Sequence, residues 1–113
     1  MKILFTAKGE EWDSQLDPHF GRAKGFILYD TEIENHMWIS NEENIEAAHG
    51  AGIQAAQKAS QLGAEVLITG RVGPKAKSTL DSSGIQICTV ETPCTLREAY
   101  SKFNNSRKDL STK

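Results

Sequence analysis

The sequence predicts an α/β domain in which a mixed β-sheet carries helices on both faces, and three observations predict it. Short apolar runs typical of strands occur at Lys2–Ala7, Gly25–Asp30, 64–69 and 85–90. Helical periodicity before and after the run at 64–69 gives two βαβ crossovers, and crossovers join parallel strands. A short polar link joins Gly25–Asp30 to a further apolar run at 34–40, which is typical of an antiparallel hairpin.

The N-terminal half of the chain combines these strands with two long polar connections. Residues 8–24 separate the first strand from the hairpin, and a connection of that length in a small domain is usually functional or mobile. Residues 41–50 form the second connection. The helix predicted next, 51–62, has an alanine-rich apolar stripe, and Gly63 is the expected residue after its last turn.

A strand, a glycine turn and a helix start form the centre of the prediction. The uninterrupted apolar run 66–68 is typical of a strand covered on both faces. Gly70 and Gly73 allow a sharp turn, and Pro74 suits the first position of a helix predicted over 74–83. Such a turn leaves backbone N–H groups and a partial positive charge at the carboxyl edge of the sheet, where α/β proteins bind ligands. We therefore expect the ligand site here.

The C-terminal part is predicted to contain one more strand, at 85–90, and a final helix. Thr95 and Glu98 have the spacing of a capping box at the start of that helix. Its apolar stripe consists of Leu96, Ala99, Tyr100 and Phe103. From residue 104 onward the chain has almost no apolar side chains, so we expect a single domain over 1–103 and a disordered tail over 104–113.

Composition excludes several classes of partner. The chain has 113 residues, which fits one domain, and a formal net charge of -2, which gives no basic face for nucleic acid. No apolar run approaches the roughly 20 residues of a membrane span. Two cysteines are too few for a disulfide framework and fit a reducing compartment. We expect a cytoplasmic monomer with no nucleic-acid or membrane partner.

Two histidines lie in the long connections. His19 and Arg22 belong to the segment 17–23, where an imidazole offers a ligand for a soft metal and a guanidinium offers a cation for an anion. The alternative for this segment is a surface loop anchored by Phe20. His49 precedes a helix start rich in glycine, which a plain N-terminal cap explains about equally well. Topology suggests that both histidines meet beside the turn at 70–73.

Cys94 is the third candidate ligand. It directly precedes the cap of the last helix, and a helix N-terminus lowers the pKa of a thiol, so a thiolate here could bind iron or zinc. An ordinary loop cysteine is the alternative. No C-x-x-C or H-E-x-x-H motif occurs, so no standard zinc site is indicated.

Catalytic motifs are missing from the sequence. Gly70 and Gly73 are too close together for a phosphate loop, and Arg71 and Lys75 can equally be solvated side chains. There is no G-x-S-x-G elbow, and the first strand has none of the carboxylates that a two-metal nuclease needs. A hydrolase is therefore disfavoured.

These residues, in this order, resemble the dinitrogenase iron–molybdenum cofactor biosynthesis family, which includes nitrogenase accessory proteins that carry cofactor precursors and small stand-alone members. The resemblance covers nearly the whole chain. It rests on Lys2–Ala7, 17–23 with His-Phe-Gly-Arg-Ala, 26–30, Asn41, 49–52, 66–76 with Gly70, Gly73 and Pro74, and 84–85 with the last helix. It implies a three-layer α/β/α ribonuclease-H-like fold with a five-stranded mixed sheet in the order 3-2-1-4-5, strand 2 antiparallel. It also implies binding of a cluster rather than turnover of a substrate.

The leading hypothesis is a non-catalytic carrier of an iron–sulfur or iron–molybdenum type cluster, or of its precursor, in metallocluster assembly. Cluster donor and acceptor proteins would be its partners. A soft anionic cluster needs imidazole or thiolate ligands, here His19, His49 and Cys94, surrounded by cations and N–H donors. Those surrounding groups would come from Arg22, Gly50, Gly70, Arg71 and Gly73. The alternatives are a metal-free regulatory or protein-interaction module and, less favoured, a phosphate or nucleotide hydrolase.

Overall fold

A five-stranded sheet with helices on both faces forms the protein. The computed structural model describes residues 1–42 and 50–111, with side chains described as far as residue 107. The strands are β1 (Lys2–Ala7), β2 (Gly25–Asp30), β3 (Asn35–Ser40), β4 (Val66–Thr69) and β5 (Gln86–Thr89). The helices in the described part of the chain are α1 (Ala51–Gln61), α2 (Pro74–Ser82) and α3 (Leu96–Ser111). The ends of the strands and of the first two helices lie within two residues of their predicted positions.

The strand order is β3-β2-β1-β4-β5, which confirms the predicted order. β1 pairs antiparallel with β2 and parallel with β4, and β5 continues the parallel half. In the middle of the sheet Phe5 lies opposite Ile27 on one side and Ile68 on the other. The antiparallel orientation predicted for the second strand is therefore confirmed, and β1 is the central strand because two strands lie on each side of it.

Alternate side chains of β1 enter two separate cores. Ile3 and Phe5 pack on the face covered by α3, together with Leu96 and Phe103. Leu4 packs on the opposite face with the alanines of α1 and with Leu80 of α2. Because successive side chains of a strand point to opposite faces, the apolar run 3–5 of β1 serves both cores. This gives three layers, with α1 and α2 on one face of the sheet and α3 on the other.

The last helix begins as predicted and ends later. The backbone N–H of Thr95 donates to the Glu98 carboxylate at 2.9 Å, and the Glu98 N–H donates to the Thr95 hydroxyl at 3.1 Å, which is the predicted capping box. The helix then continues to Ser111, past residue 104, where the sequence predicted a disordered tail. Residues 104–111 contain no glycine or proline, so nothing in the backbone ends the helix at Phe103.

The connection 8–24 is held against the domain by backbone hydrogen bonds. The Leu16 N–H donates to the Cys94 carbonyl at 2.8 Å, and the Leu96 N–H donates to the Ser14 carbonyl at 3.0 Å. The connection therefore has fixed partners at the start of α3, and its continuation reaches the carboxyl edge of the sheet. In the described part of the chain, no helix has the length and apolar character needed to cross a membrane.

Candidate functional site

A cleft of about 480 Å³ lies where α1 and α2 begin, at the carboxyl edge of β4. Its described walls come from three segments, 21–22, 50–53 and 73–76. The first belongs to the connection after β1, and the other two are the first turns of the helices. The cleft therefore occupies the position at which the strand–turn–helix pattern predicted a ligand.

Both helices that open onto the cleft begin without a side-chain cap. Gly50 and Gly73 are the N-cap residues, neither has a side chain, and neither helix has an acidic residue in its first turn. The first intrahelical bonds run from Gln54 N–H to the Gly50 carbonyl and from Lys77 N–H to the Gly73 carbonyl, each at 2.9 Å. The N–H groups of residues 51–53 and 75–76 precede those bonds and have no acceptor within their own helix. The positive ends of two helix dipoles therefore meet at one cleft.

Both charged side chains in the described walls of the cleft are cationic. Arg22 and Lys75 line the cleft, and both are exposed. The described walls contain no Asp or Glu. With the two helix ends, this makes the cleft favourable for an anion and unfavourable for a bare cation.

Gly21 allows the connection after β1 to lie against the start of α1. A Cβ atom at Gly21 would lie 2.8 Å from the Cα and 2.9 Å from the backbone nitrogen of Gly52, closer than real Cβ atoms come to backbone. Beside it, the Phe20 N–H donates to the Arg71 carbonyl at 3.2 Å, and the Phe20 ring is buried in the core under α1 and α2. Phe20 thus anchors a segment that also lines the cleft, and ligand binding by this segment stays a prediction.

The other end of the segment is fixed at the ends of β1 and β4. The Thr6 hydroxyl donates to the Asp17 carbonyl at 2.6 Å and is paired with the Thr69 hydroxyl at 2.8 Å. Gly70 follows directly, and a Cβ atom there would lie 2.8 Å from the Cα of Pro18. Gly70 is therefore required by a close approach of two backbone segments, whereas Gly73 has open space around it.

His19 lies beside the cleft on the same segment. It pairs with Arg71 in an isolated parallel bridge, its N–H donates to the Asp17 carboxylate at 3.1 Å, and its side chain is exposed. Neither His19 nor Arg71 belongs to the described cleft walls. His49, the predicted second ligand, lies outside the described residues, so the predicted meeting of the two histidines stays a prediction.

Cys94 lies away from the cleft. It is 4% exposed and belongs to the core under α3, on the opposite face of the sheet from α1 and α2. Burial raises the pKa of its thiol, so the expectation that the helix N-terminus lowers this pKa is wrong. The N–H groups at the start of α3 already donate to Ser14, Trp12 and the Thr95 cap, which leaves no free donors to stabilise a thiolate. Across the described residues, no group of three or more His, Cys, Asp or Glu side chains is placed to hold a metal ion.

Sequence reasoning missed part of the cleft. From the sequence, Lys75 is expected only as a solvated side chain, and no contact between Gly21 and Gly52 is expected. The signal was present as small residues at both positions, but only the structure shows which backbone segments touch there. Asn41 is part of the family resemblance, but the sequence does not show its contacts. In the structure its side chain is buried and donates a hydrogen bond to Ala23, in the segment that contains Gly21.

The chain is similar in sequence to known proteins. A family model described as dinitrogenase iron-molybdenum cofactor matches residues 1–106. An uncharacterised protein of Methanocaldococcus jannaschii is 35% identical over 85 residues, which cover 71% of this chain and 70% of that protein.

Two solved structures are also similar. The orange protein of Desulfovibrio gigas, solved in its apo form, is 39% identical with a TM-score of 0.89, over 93% of this chain and 88% of that one. A NifB-like protein from Thermotoga, solved by NMR, is 33% identical with a TM-score of 0.81, over 94% of this chain and 89% of that one.

Proposed function

Because this chain belongs to the dinitrogenase iron–molybdenum cofactor family, we propose that it is a non-catalytic carrier of an iron–sulfur or iron–molybdenum type cluster, or of a precursor, in metallocluster assembly. The observation that carries the proposal is the cleft at which two uncapped helix starts, Arg22 and Lys75 meet. Cluster donor and acceptor proteins are the partners that such a role requires. We assign the domain to the ribonuclease-H-like class, which the strand order and the three layers support.

The chemistry of the cleft walls suits such a cargo. Sulfide-bridged metal clusters are anionic, and concave sets of backbone N–H groups bind both phosphates and iron–sulfur centres. The N–H groups of 51–53 and 75–76 supply such donors, and Arg22 and Lys75 add charge. The cleft volume of about 480 Å³ lies within the usual range of small-ligand sites, roughly 300–1,000 Å³.

We propose His19 and His49 as the direct metal ligands. His19 lies two residues before the cleft-lining Gly21, and His49 directly precedes the cleft-lining Gly50. A neutral imidazole suits iron and related metals. Gly73 keeps a wall of the cleft open, whereas Gly70 and Arg71 hold the His19 segment by backbone contacts. Cys94 is left out of the ligand set because it is buried under α3.

The descriptions of the family and of a similar structure support the role of a cofactor carrier. The family description names a cofactor rather than a reaction, and the orange protein was solved in an apo form. The cluster type is part of the proposal.

Anaerobic reconstitution tests the proposed function. The protein is incubated with ferrous iron and sulfide, or titrated with tetrathiomolybdate, a soluble anion of molybdenum and sulfur, and visible absorption is followed in the protein fraction after gel filtration. We expect stoichiometric colour with the wild type. His19→Ala and His49→Ala should weaken binding by about 10- to 100-fold or more, since mutating even the residues that support metal ligands costs affinity on that scale. Arg22→Ala should weaken binding less.

His36→Ala is the matched control, because His36 is an exposed histidine on β3, away from the cleft walls. It should bind like the wild type. Equal affinity in all variants, or no binding by the wild type, would favour the metal-free regulatory or protein-interaction module instead.

A further inference from the structure

Asn41 is one of three buried polar side chains in the described part of the chain, together with Thr6 and Thr69. It directly follows β3 and is 1% exposed. Burying an amide is costly unless its hydrogen-bonding groups find partners. An apolar residue of similar size would avoid that cost, so the partners of Asn41 indicate what the amide is for.

Three hydrogen bonds of Asn41 reach the main chain on the two sides of Arg22. Its side-chain Nδ2 donates to the Ala23 carbonyl at 2.9 Å and to the Gly21 carbonyl at 3.4 Å. Its backbone N–H donates to the Lys24 carbonyl at 3.1 Å. An amide nitrogen carries two hydrogens, so one Asn can serve both side-chain contacts. The main chain before and after Arg22 is therefore held by a single residue at the end of a strand.

The segment 21–24 has no helix or strand of its own. Its carbonyl groups need partners from elsewhere, and Asn41 provides them for Gly21 and Ala23. Fixing the backbone on both sides of Arg22 means that little backbone freedom remains to be lost when Arg22 meets a ligand. The same bonds hold Gly21 in its close approach to Gly52.

We propose that Asn41 is a positioning residue for the cleft: it holds Arg22 at the cleft wall and so strengthens the binding of an anionic ligand that it does not touch. This inference rests on the proposed function, since it concerns affinity at the same cleft. The charges of the cleft would attract an anion without Asn41, so the inference gives this buried side chain a role of its own.

A double-mutant cycle tests the coupling. Wild type, Arg22→Ala, Asn41→Ala and the double variant are titrated anaerobically with tetrathiomolybdate. We expect each single variant to bind about 3- to 10-fold more weakly, the scale of a partly exposed charge contact. The double variant should be no weaker than Arg22→Ala, because Asn41 acts through Arg22. Losses that multiply, or wild-type affinity in Asn41→Ala, would overturn the proposal.

A second readout does not need a ligand. Backbone ¹⁵N relaxation should show the order parameters of Gly21 and Arg22 falling in Asn41→Ala, from rigid values near 0.85 toward those of flexible backbone, below about 0.6. Phe103→Leu is the control, because it weakens the core under α3 and should leave these two amides unchanged. Unchanged order parameters in Asn41→Ala would contradict positioning.

The titration and the relaxation measurement distinguish failure of the proposed function from failure of the positioning role. If the wild type binds no probe, the proposed function fails, and relaxation alone decides whether Asn41 orders the segment. If Asn41→Ala does not fold, Asn41→Ser replaces it in both arms, because its side chain is too short to reach both carbonyls. The same outcomes then apply.

Discussion

The two cysteines differ in solvent exposure. Cys94 is buried in the core under α3, whereas Cys88 is half-buried on β5. Burial raises the pKa of both thiols above the ordinary value. A raised pKa reduces the thiolate fraction at neutral pH, so neither cysteine has the character of a ready metal ligand.

Thiol labelling checks this assignment. With a disulfide reagent at pH 8 we expect Cys88 to react at least about 10-fold faster than Cys94, because reaction needs an accessible thiolate. Both rates should rise as the pH approaches the raised pKa values, and unfolding should make them equal. The Cys88→Ser variant isolates Cys94. Fast labelling of Cys94 in that folded variant would show that its thiol is accessible and would return it to the set of candidate ligands.

At the scale of elements, the cleft depends on backbone segments that only glycine allows to approach. Gly21→Ala places a Cβ atom 2.8 Å from the Gly52 Cα, so the segment or the start of α1 must shift. We expect a loss of about 1–3 kcal/mol in the free energy of unfolding, the usual cost of such crowding. Urea denaturation measures it.

Gly73→Ala is the matched control for that prediction. It lies on the same cleft, but its added Cβ would meet no atom within 4 Å, and its φ of -69° suits alanine. Its stability should change by less than about 0.5 kcal/mol. Similar losses for the two variants would contradict the close approach of Gly21 to α1.

The attachment of α3 depends on Phe103, which is 3% exposed in the core on that face of the sheet. Phe103→Ala should cost about 3–5 kcal/mol, because it removes a buried ring and leaves a cavity. Ser101→Ala, an exposed position on the same helix, should stay within about 0.5 kcal/mol. A small loss for Phe103→Ala in urea denaturation would mean that α3 is not held by this ring.

At the scale of the whole molecule, the sheet could be predicted because its order follows from local signals. A polar link fixes the β2–β3 hairpin, and helical periodicity around β4 fixes the crossovers that place it beside β1. The position of the cleft followed from the same reasoning, since helix starts gather at the carboxyl edge of parallel strands.

The walls of the cleft could not be predicted in the same way. The contacts of Gly21 with Gly52 and of Asn41 with Ala23 join residues far apart in sequence, and no periodicity encodes them. For Cys94, the position before a helix N-terminus suggested a low pKa, whereas its thiol is buried in the core under α3 and burial raises the pKa. The end of α3 lies later than the sequence predicts because low hydrophobicity suggested disorder, whereas the helix continues through 104–111.

The central claim is that an anionic metal–sulfur ligand binds at the starts of α1 and α2. Titrating ¹⁵N-labelled protein with tetrathiomolybdate tests it most directly. We predict amide shift changes concentrated at 21–22, 50–53 and 73–76, lost in Lys75→Glu and retained in Lys77→Glu, which reverses a charge on the same helix outside the cleft walls. No shifts up to about millimolar probe, far above a useful carrier affinity, or shifts concentrated around Cys94 and α3 would contradict the account.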